Sequence, residues 1–283
     1  MKIYSAMFFL SKTWTHISTP LPTMKELKDT QNEFDDRNIA IDRVGVKALR
    51  YPLEVRNKDG STQRTVSTTA LAVDLPHHFK GTHMSRFVEV LSSHGNCLDV
   101  REMTAIPNEL LGRLDAHKAH VEFRFPFFRT KAAPVTKMEG IMDYEVIFET
   151  ESDADGNSDF ILTVIVPVAT LCPCSKAISD RGAHNQRGTV TYSVRFKEPI
   201  WIEDLIDLVE SSASCELYSL LKRPDEKEVT ERAYDNPVFV EDLVRNIAAR
   251  SNAQENITWY KVEAENFESI HNHSAYAVIE KTV

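Results

Sequence analysis

Cysteine is scarce in this 283-residue chain, and its four thiols, Cys97, Cys172, Cys174 and Cys215, are too few for a disulfide framework at this length. Long apolar runs are missing as well. The stretch Ala6–Leu10 is too short for a signal-peptide core or a membrane span, and no cleavage-like segment follows it, so a cytoplasmic location is expected. No run of Arg and Lys is present, and a net charge of −9 with a pI near 5.6 argues against a nucleic-acid partner. An anionic substrate would then need a local basic pocket working against the overall field. What remains, 42% hydrophobic and 27% charged residues, is the composition of a soluble globular protein with enough core for one large or two ordinary domains.

Chemistry concentrates in the segment from Leu171 to Gly188, which packs Cys172, Cys174 and His184 among Ser, Gly, Asn and Arg residues. That composition reads as a loop, held between the apolar run Phe160–Val168 and the alternating run Thr189–Phe196. Cys172 and His184 are far enough apart in sequence for both side chains to fold back onto one ion. A thiolate with an imidazole suits zinc or another late divalent metal. Two other readings of the same residues stand beside this one: a CxC disulfide or structural zinc knuckle, and buried thiols acting as small hydrophobes. A bridge between Cys172 and Cys174 is disfavoured, because two residues on an extended segment place their side chains poorly for it.

Residues 1–37 read as a flexible N-terminal arm, with Thr19-Pro-Leu-Pro-Thr23 as a linker and Met24 as an alternative initiator. Beyond it an order of strand, strand, helix, helix, strand, strand is expected twice, over 38–151 and 152–283. The strands are expected at Val44–Val55, Thr65–Leu75, Val121–Phe128, Ile141–Glu149, Phe160–Val168, Thr189–Phe196, Ile257–Glu263 and Ala275–Lys281. Helices are expected near Ser85–Ser93, Glu102–His117 and Ile202–Leu221, the last ended by Pro224, and again from Asn236-Pro237. Antiparallel sheets with paired helices on one face make the class α+β. Their open edges point to oligomerisation into a barrel.

Three further clusters carry chemistry. Glu226 lies beside basic residues in Leu220–Val229, a charged helix end that is ordinary as solvated surface. In Glu265–Ser274, His271 and His273 are two apart with Glu268 three before the first; on an extended segment both imidazoles point to one side, as metal ligation or paired proton transfer needs. His83 and Arg86 at a helix start suit either an anion or an ordinary cap. Phe123–Arg129, with four Phe, reads as core and subunit interface rather than a base-stacking surface.

Taken together, Lys80–Phe87, Phe125–Arg129, Leu171–Arg187, Leu221–Lys227, Asn236–Asp242 and Glu265–Ala277 resemble type IB GTP cyclohydrolase I, over roughly Asn38 to the end. The resemblance implies tandem tunnelling-fold modules, a homotetramer with sites between subunits, and conversion of GTP to 7,8-dihydroneopterin triphosphate and formate. Cys172, His184 and Glu226 resemble the ligands of a divalent metal, whether zinc, manganese or iron. Glu241 resembles the carboxylate that anchors guanine, and Glu268, His271 and His273 fall on the catalytic cluster, with Cys172 counted in it as well. An archaeal-type cyclohydrolase making a cyclic phosphate, and a metal- or purine-binding protein without turnover, are the alternatives. A related nitrile reductase is disfavoured, since no dinucleotide fingerprint is present.

Overall fold

The structure, a computed structural model, describes residues 29–31, 33–95, 97–98 and 103–283. The expected N-terminal arm falls largely outside them. In chain order the elements are β1 (Ile41–Arg56), β2 (Thr62–Leu75), α1 (Met84–Ser93), β3 (Cys97–Leu98), α2 (Ala105–Leu114), β4 (Lys118–Ala132), β5 (Glu139–Asp153) and β6 (Ser158–Leu171). They continue with α3 (Pro173–Ile178), β7 (Asn185–Phe196), α4 (Ile202–Glu210), β8 (Cys215–Glu216), α5 (Arg223–Asp235), α6 (Val240–Asn252), β9 (Ile257–Phe267) and β10 (Ser274–Thr282).

Alternation builds the strands. In β4, Ala119, Val121, Phe123, Phe125 and Phe127 are at most 1% exposed, while Lys118, Glu122 and Arg124 face the other way. Phe125 and Phe148 meet edge to face at 5.1 Å, a geometry favoured by the ring quadrupole. Phe87, Val90 and Leu91 of α1 and Ile106 and Leu110 of α2 close the core over the half of the sheet that holds β1, β2, β4 and β5. Leu205, Ile206 and Val209 of α4 and Leu243, Val244 and Ile247 of α6 do so over the half that holds β6, β7, β9 and β10. Each fully buried side chain of this size contributes about 1.5–3 kcal/mol.

The expected tandem of tunnelling-fold modules, each an antiparallel sheet with its own paired helices, is corrected by the topology. One sheet of ten strands runs in the order β10-β9-β7-β6-β5-β4-β2-β1-β3, with β8 paired to β6. The residues just after the expected boundary at 151/152, which falls inside β5, do not break the sheet. They form a hairpin turn in which Asp153 Oδ1 accepts the N–H groups of Asp155 and Asn157, and Gly156 takes φ +88°. Antiparallel pairing from Ser152↔Ser158 to Glu145↔Ile165 then fuses the halves. Among the described residues the sheet is open, with β10 and β3 at its edges.

Two helix boundaries also differ from the sequence reading. The helix expected over Ile202–Leu221 stops at Glu210, because Ser212 Oγ bonds back to Leu208 O and Cys215–Glu216 pair with β6. Pro224 opens α5 instead of ending the previous helix, which suits a residue with no N–H to place in a first turn. Asn236 does not cap α6; its Nδ2 donates to Ala213 O at 2.9 Å, and α6 starts at Val240 with Asp242 accepting from Phe239 N.

Candidate functional site

The site forms where β6, β7 and β9 end together. β6 and β7 pair from Leu162↔Val194 to Leu171↔Asn185, so residues 172–184 form the loop between two rigid strands. Its first residue, Cys172, caps α3 and accepts a hydrogen bond on Sγ from Ser175 N at 3.4 Å. Ser175 Oγ donates to Cys172 O and accepts from His184 N, and Cys172 N donates to His184 O at 3.1 Å. These bonds close the loop on itself and bring Cys172 beside His184. Cys172 is half-buried and Cys174 exposed.

A cavity of about 270 Å³ opens here. Cys172, His184, Glu241, Glu268, His271 and His273 all line it. Glu241 arrives in the first turn of α6, and Val238 N donates to Leu171 O at 3.1 Å, which ties the entry to that helix beside Cys172. Its carboxylate is exposed in this chain. The β9–β10 connection supplies the other acid and two imidazoles. His271 and His273 rings stack at 5.2 Å, His184 and His271 stand 6.4 Å apart, and Glu268 Oε2 faces His271 Nδ1 at 3.5 Å.

Two residues in this cavity were not anticipated from sequence. Gln186 Oε1 accepts from His184 Nδ1 at 3.0 Å, which leaves Nε2 as the free lone pair. Asn266, on β9, is 2% exposed and also lines the cavity. Both continue a buried stripe of their strand, after Val194, Tyr192 and Val190 on β7 and after Tyr260, Val262 and Ala264 on β9. A polar residue at the end of an apolar stripe is the signal that was available.

Glu226 is not brought to this cavity. It is exposed in the first turn of α5, whose far end lies near the loop: Lys176 Nζ bonds Tyr234 O. Eight residues of helix separate Glu226 from Tyr234, about 12 Å at 1.5 Å per residue. Its neighbour Asp225 is buried and accepts from Val135 N, Thr136 N, Thr136 Oγ1 and Lys222 N, at 2.7–2.9 Å. Burial alone would raise the Asp225 carboxyl; the hydrogen bonds from Thr136, Lys222 and Val135 overrule it and hold the group far below the usual carboxylate range. The α5 N-terminus is thereby fixed to the β4–β5 turn.

The residues at the loop fit a divalent ion in part. A thiol and an imidazole with its Nδ1 already held are two ligands of the expected kind, and the expected third, the Glu226 carboxylate, does not line the cavity. Elsewhere, His120, Glu122 and Glu149 offer ligand atoms within 4.8 Å of one another on β4 and β5, but none of them lines the cavity. Of the expected anion-binding residues, His83 faces Asp29 at 3.2 Å and Arg86 donates to Arg113 O. Among the described residues, no helix is long and apolar enough to cross a membrane.

The fold is of the kind seen in urate oxidases. It is similar to the urate oxidase of Bacillus sp. TB-90, solved as a highly active mutant, with a TM-score of 0.51 at 8% identity, covering 86% of this chain and 100% of that one. At that identity the likeness speaks for the fold alone. Sequence goes further: the model of the family described as type I GTP cyclohydrolase folE2 matches residues 27–277, and the chain belongs to that family. It is 67% identical to the GTP cyclohydrolase FolE2 of Akkermansia muciniphila over 91% of this chain and 98% of the relative. The protein of the same name from Nitrosococcus oceani is 55% identical over 91% of this chain and 96% of its own length.

Proposed function

We propose that this chain is a type IB GTP cyclohydrolase I, opening the guanine imidazole ring of GTP to give 7,8-dihydroneopterin triphosphate and formate, as the first step of tetrahydrofolate formation. Family membership supports the substrate. The observation that carries the chemistry is the meeting of Cys172, His184, Glu241, Glu268, His271 and His273 around one cavity.

Ring opening requires water to add at carbon 8 of the base and a later hydrolysis of the formamide. Glu241 is assigned to hold the base: its two carboxylate oxygens accept from the ring N–H and the 2-amino group of guanine. His271 and His273, imidazoles that can both give and take a proton, are suited to deliver one to the ring nitrogen and remove one from water. Glu268, facing His271 Nδ1, orients that imidazole and stabilises its protonated form. Cys172, His184 and a carboxylate from Glu226 are assigned to a divalent metal, zinc, manganese or iron. When bound, such an ion makes water a stronger acid and polarises the group under attack.

The protein is assigned to the cytoplasm and to a homo-oligomer, a tetramer; in such an assembly a neighbouring copy can bring its Glu226 to the cavity that this chain's own Glu226 does not line. The direct test is to strip the protein of metal, add zinc, manganese or iron(II) singly, and supply GTP. Pterin fluorescence with equimolar formate supports the reading; formate without a neopterin triphosphate, or neither product under any metal, overturns it.

A further inference from the structure

Asn266 is a buried polar group whose carboxamide oxygen is left unused among the described residues. The core-facing stripe of β9 runs Tyr260, Val262 and Ala264, and then ends on an asparagine that is 2% exposed. Its Oδ1 has no hydrogen-bond partner among the described residues, although the carboxamide lines the cavity that holds Cys172, Glu241 and the histidines. Orphaned buried oxygens are rare, because burial strips their water and returns nothing. Gln186, the other amide on this floor, is already engaged with His184.

The opposite strand makes room for this carboxamide. Gly188 pairs directly with Asn266. A Cβ at position 188 would stand 2.5 Å from Asn266 Oδ1 and 3.0 Å from Glu265 O. Gly188 is not among the positive-φ residues, so its backbone does not demand glycine. What the missing side chain secures is space for the amide at the cavity wall.

We infer that Asn266 is a base-contacting residue that holds the purine from the cavity floor while Glu241 holds it from α6. A carboxamide carries both an acceptor and two donors, and it exchanges them by a half-turn of the side chain. A purine that presents ring acceptors beside an exocyclic amino group satisfies both ends; a plain carboxylate partner such as Glu241 meets donors only. The inference rests on the reading of this cavity as the GTP site, and it adds a second contact to the base.

The test is steady-state kinetics and calorimetric GTP binding on the metal-loaded, assembled protein, with thermal unfolding alongside. Asn266→Ala and Asn266→Leu are expected to raise KM and weaken GTP binding about tenfold with kcat much less affected, as loss of one hydrogen bond predicts. Unfolding temperature should stay level or rise, because an unpaired buried amide has been removed; a purely structural asparagine would lower it. Gly188→Ala, which pushes the carboxamide without touching its chemistry, should raise KM in the same direction and carries the test if the Asn266 variants fail to fold. Wild-type KM in a folded Asn266→Ala protein, or a fall in stability with unchanged GTP affinity, overturns the inference. Glu241→Gln run in parallel separates the two readings: GTP binding undiminished there, but lost in Asn266→Ala, rejects the role of Glu241 and keeps that of Asn266.

Discussion

Replacing Gln186 by leucine tests how the cavity prepares His184 for an ion. Gln186 is 8% exposed and its Oε1 lies 3.0 Å from His184 Nδ1, so the amide fixes both the ring's orientation and the tautomer that leaves Nε2 bare. Loss of such an outer partner typically lowers metal affinity 10–100-fold, or about 1.4–2.7 kcal/mol. Ser269 Oγ stands 3.4 Å from the same nitrogen and retains part of the constraint. Gln186→Leu should therefore fall near the tenfold end, and Gln186→Leu with Ser269→Ala nearer 100-fold. Gln186→Glu keeps an acceptor on Nδ1–H and should keep wild-type affinity or exceed it. The assay is metal titration against a chelator of known affinity, with circular dichroism to verify the fold. Equal affinities in wild type and the double variant, or an equal loss in Gln186→Glu and Gln186→Leu, would refute the orientation argument.

Lys131 of β4 contacts both oxygens of Glu210 of α4 at 2.8 Å, and Tyr144 OH donates to the same carboxylate. With side-chain exposures of 17% and 9% the pair is largely buried, so Lys131→Met should cost about 2–3 kcal/mol, below the full 3–5 for a stranded charge because Tyr144 remains. Adding Glu210→Gln should recover most of it in urea unfolding. Burial first, then the Glu210 charge and hydrogen bond, raise the Tyr144 phenol well above its ordinary range. The folded state thus keeps a proton that the unfolded chain loses near pH 10, and the contribution of Tyr144 is complete below that pH and lost above it. Tyr144→Phe should make the alkaline decline in stability shallower by about 1.4 kcal/mol per pH unit; an unchanged slope counts against the buried phenol.

Strand content was legible because alternation is a local signal: Thr65–Leu75 and Val121–Phe128 lie within β2 and β4. Whether two runs of strands share a sheet is a matter of register across a turn, and Asp153–Asn157 reads as well for a loop between modules as for a hairpin. The Ile202–Leu221 periodicity continued past the point where Ser212 turns its hydroxyl back on the helix, since Ala213, Leu217 and Leu221 keep an apolar spacing in β8 and its flanks. Residues with acid, imidazole or thiol chemistry were picked out by type, and those that meet at the cavity do so through strand ends that no spacing rule predicts. Gln186 and Asn266 were passed over because amides carry no charge and no titration, and only their place on a buried stripe marks them.

Glu226 leads to the final prediction. The loop holding Cys172 and His184 is tied to the C-terminal end of α5 through Lys176 and Tyr234, and Asp225 anchors the opposite end to Val135 and Thr136. With both ends held, the helix cannot swing Glu226 across about 12 Å of its own length without breaking the Asp225 bonds. A shared site between copies meets the same ligand requirement with no such cost. Cys172→Ala and Glu226→Ala proteins should each lose metal and turnover when pure. Co-expressed at equal levels, they should regain activity at roughly a quarter of the sites, the chance that a Cys172-bearing chain faces a Glu226-bearing one. Metal content of the mixture should rise in the same proportion. If Glu226 acts within its own chain, every site in the mixture lacks one ligand, and neither activity nor metal returns.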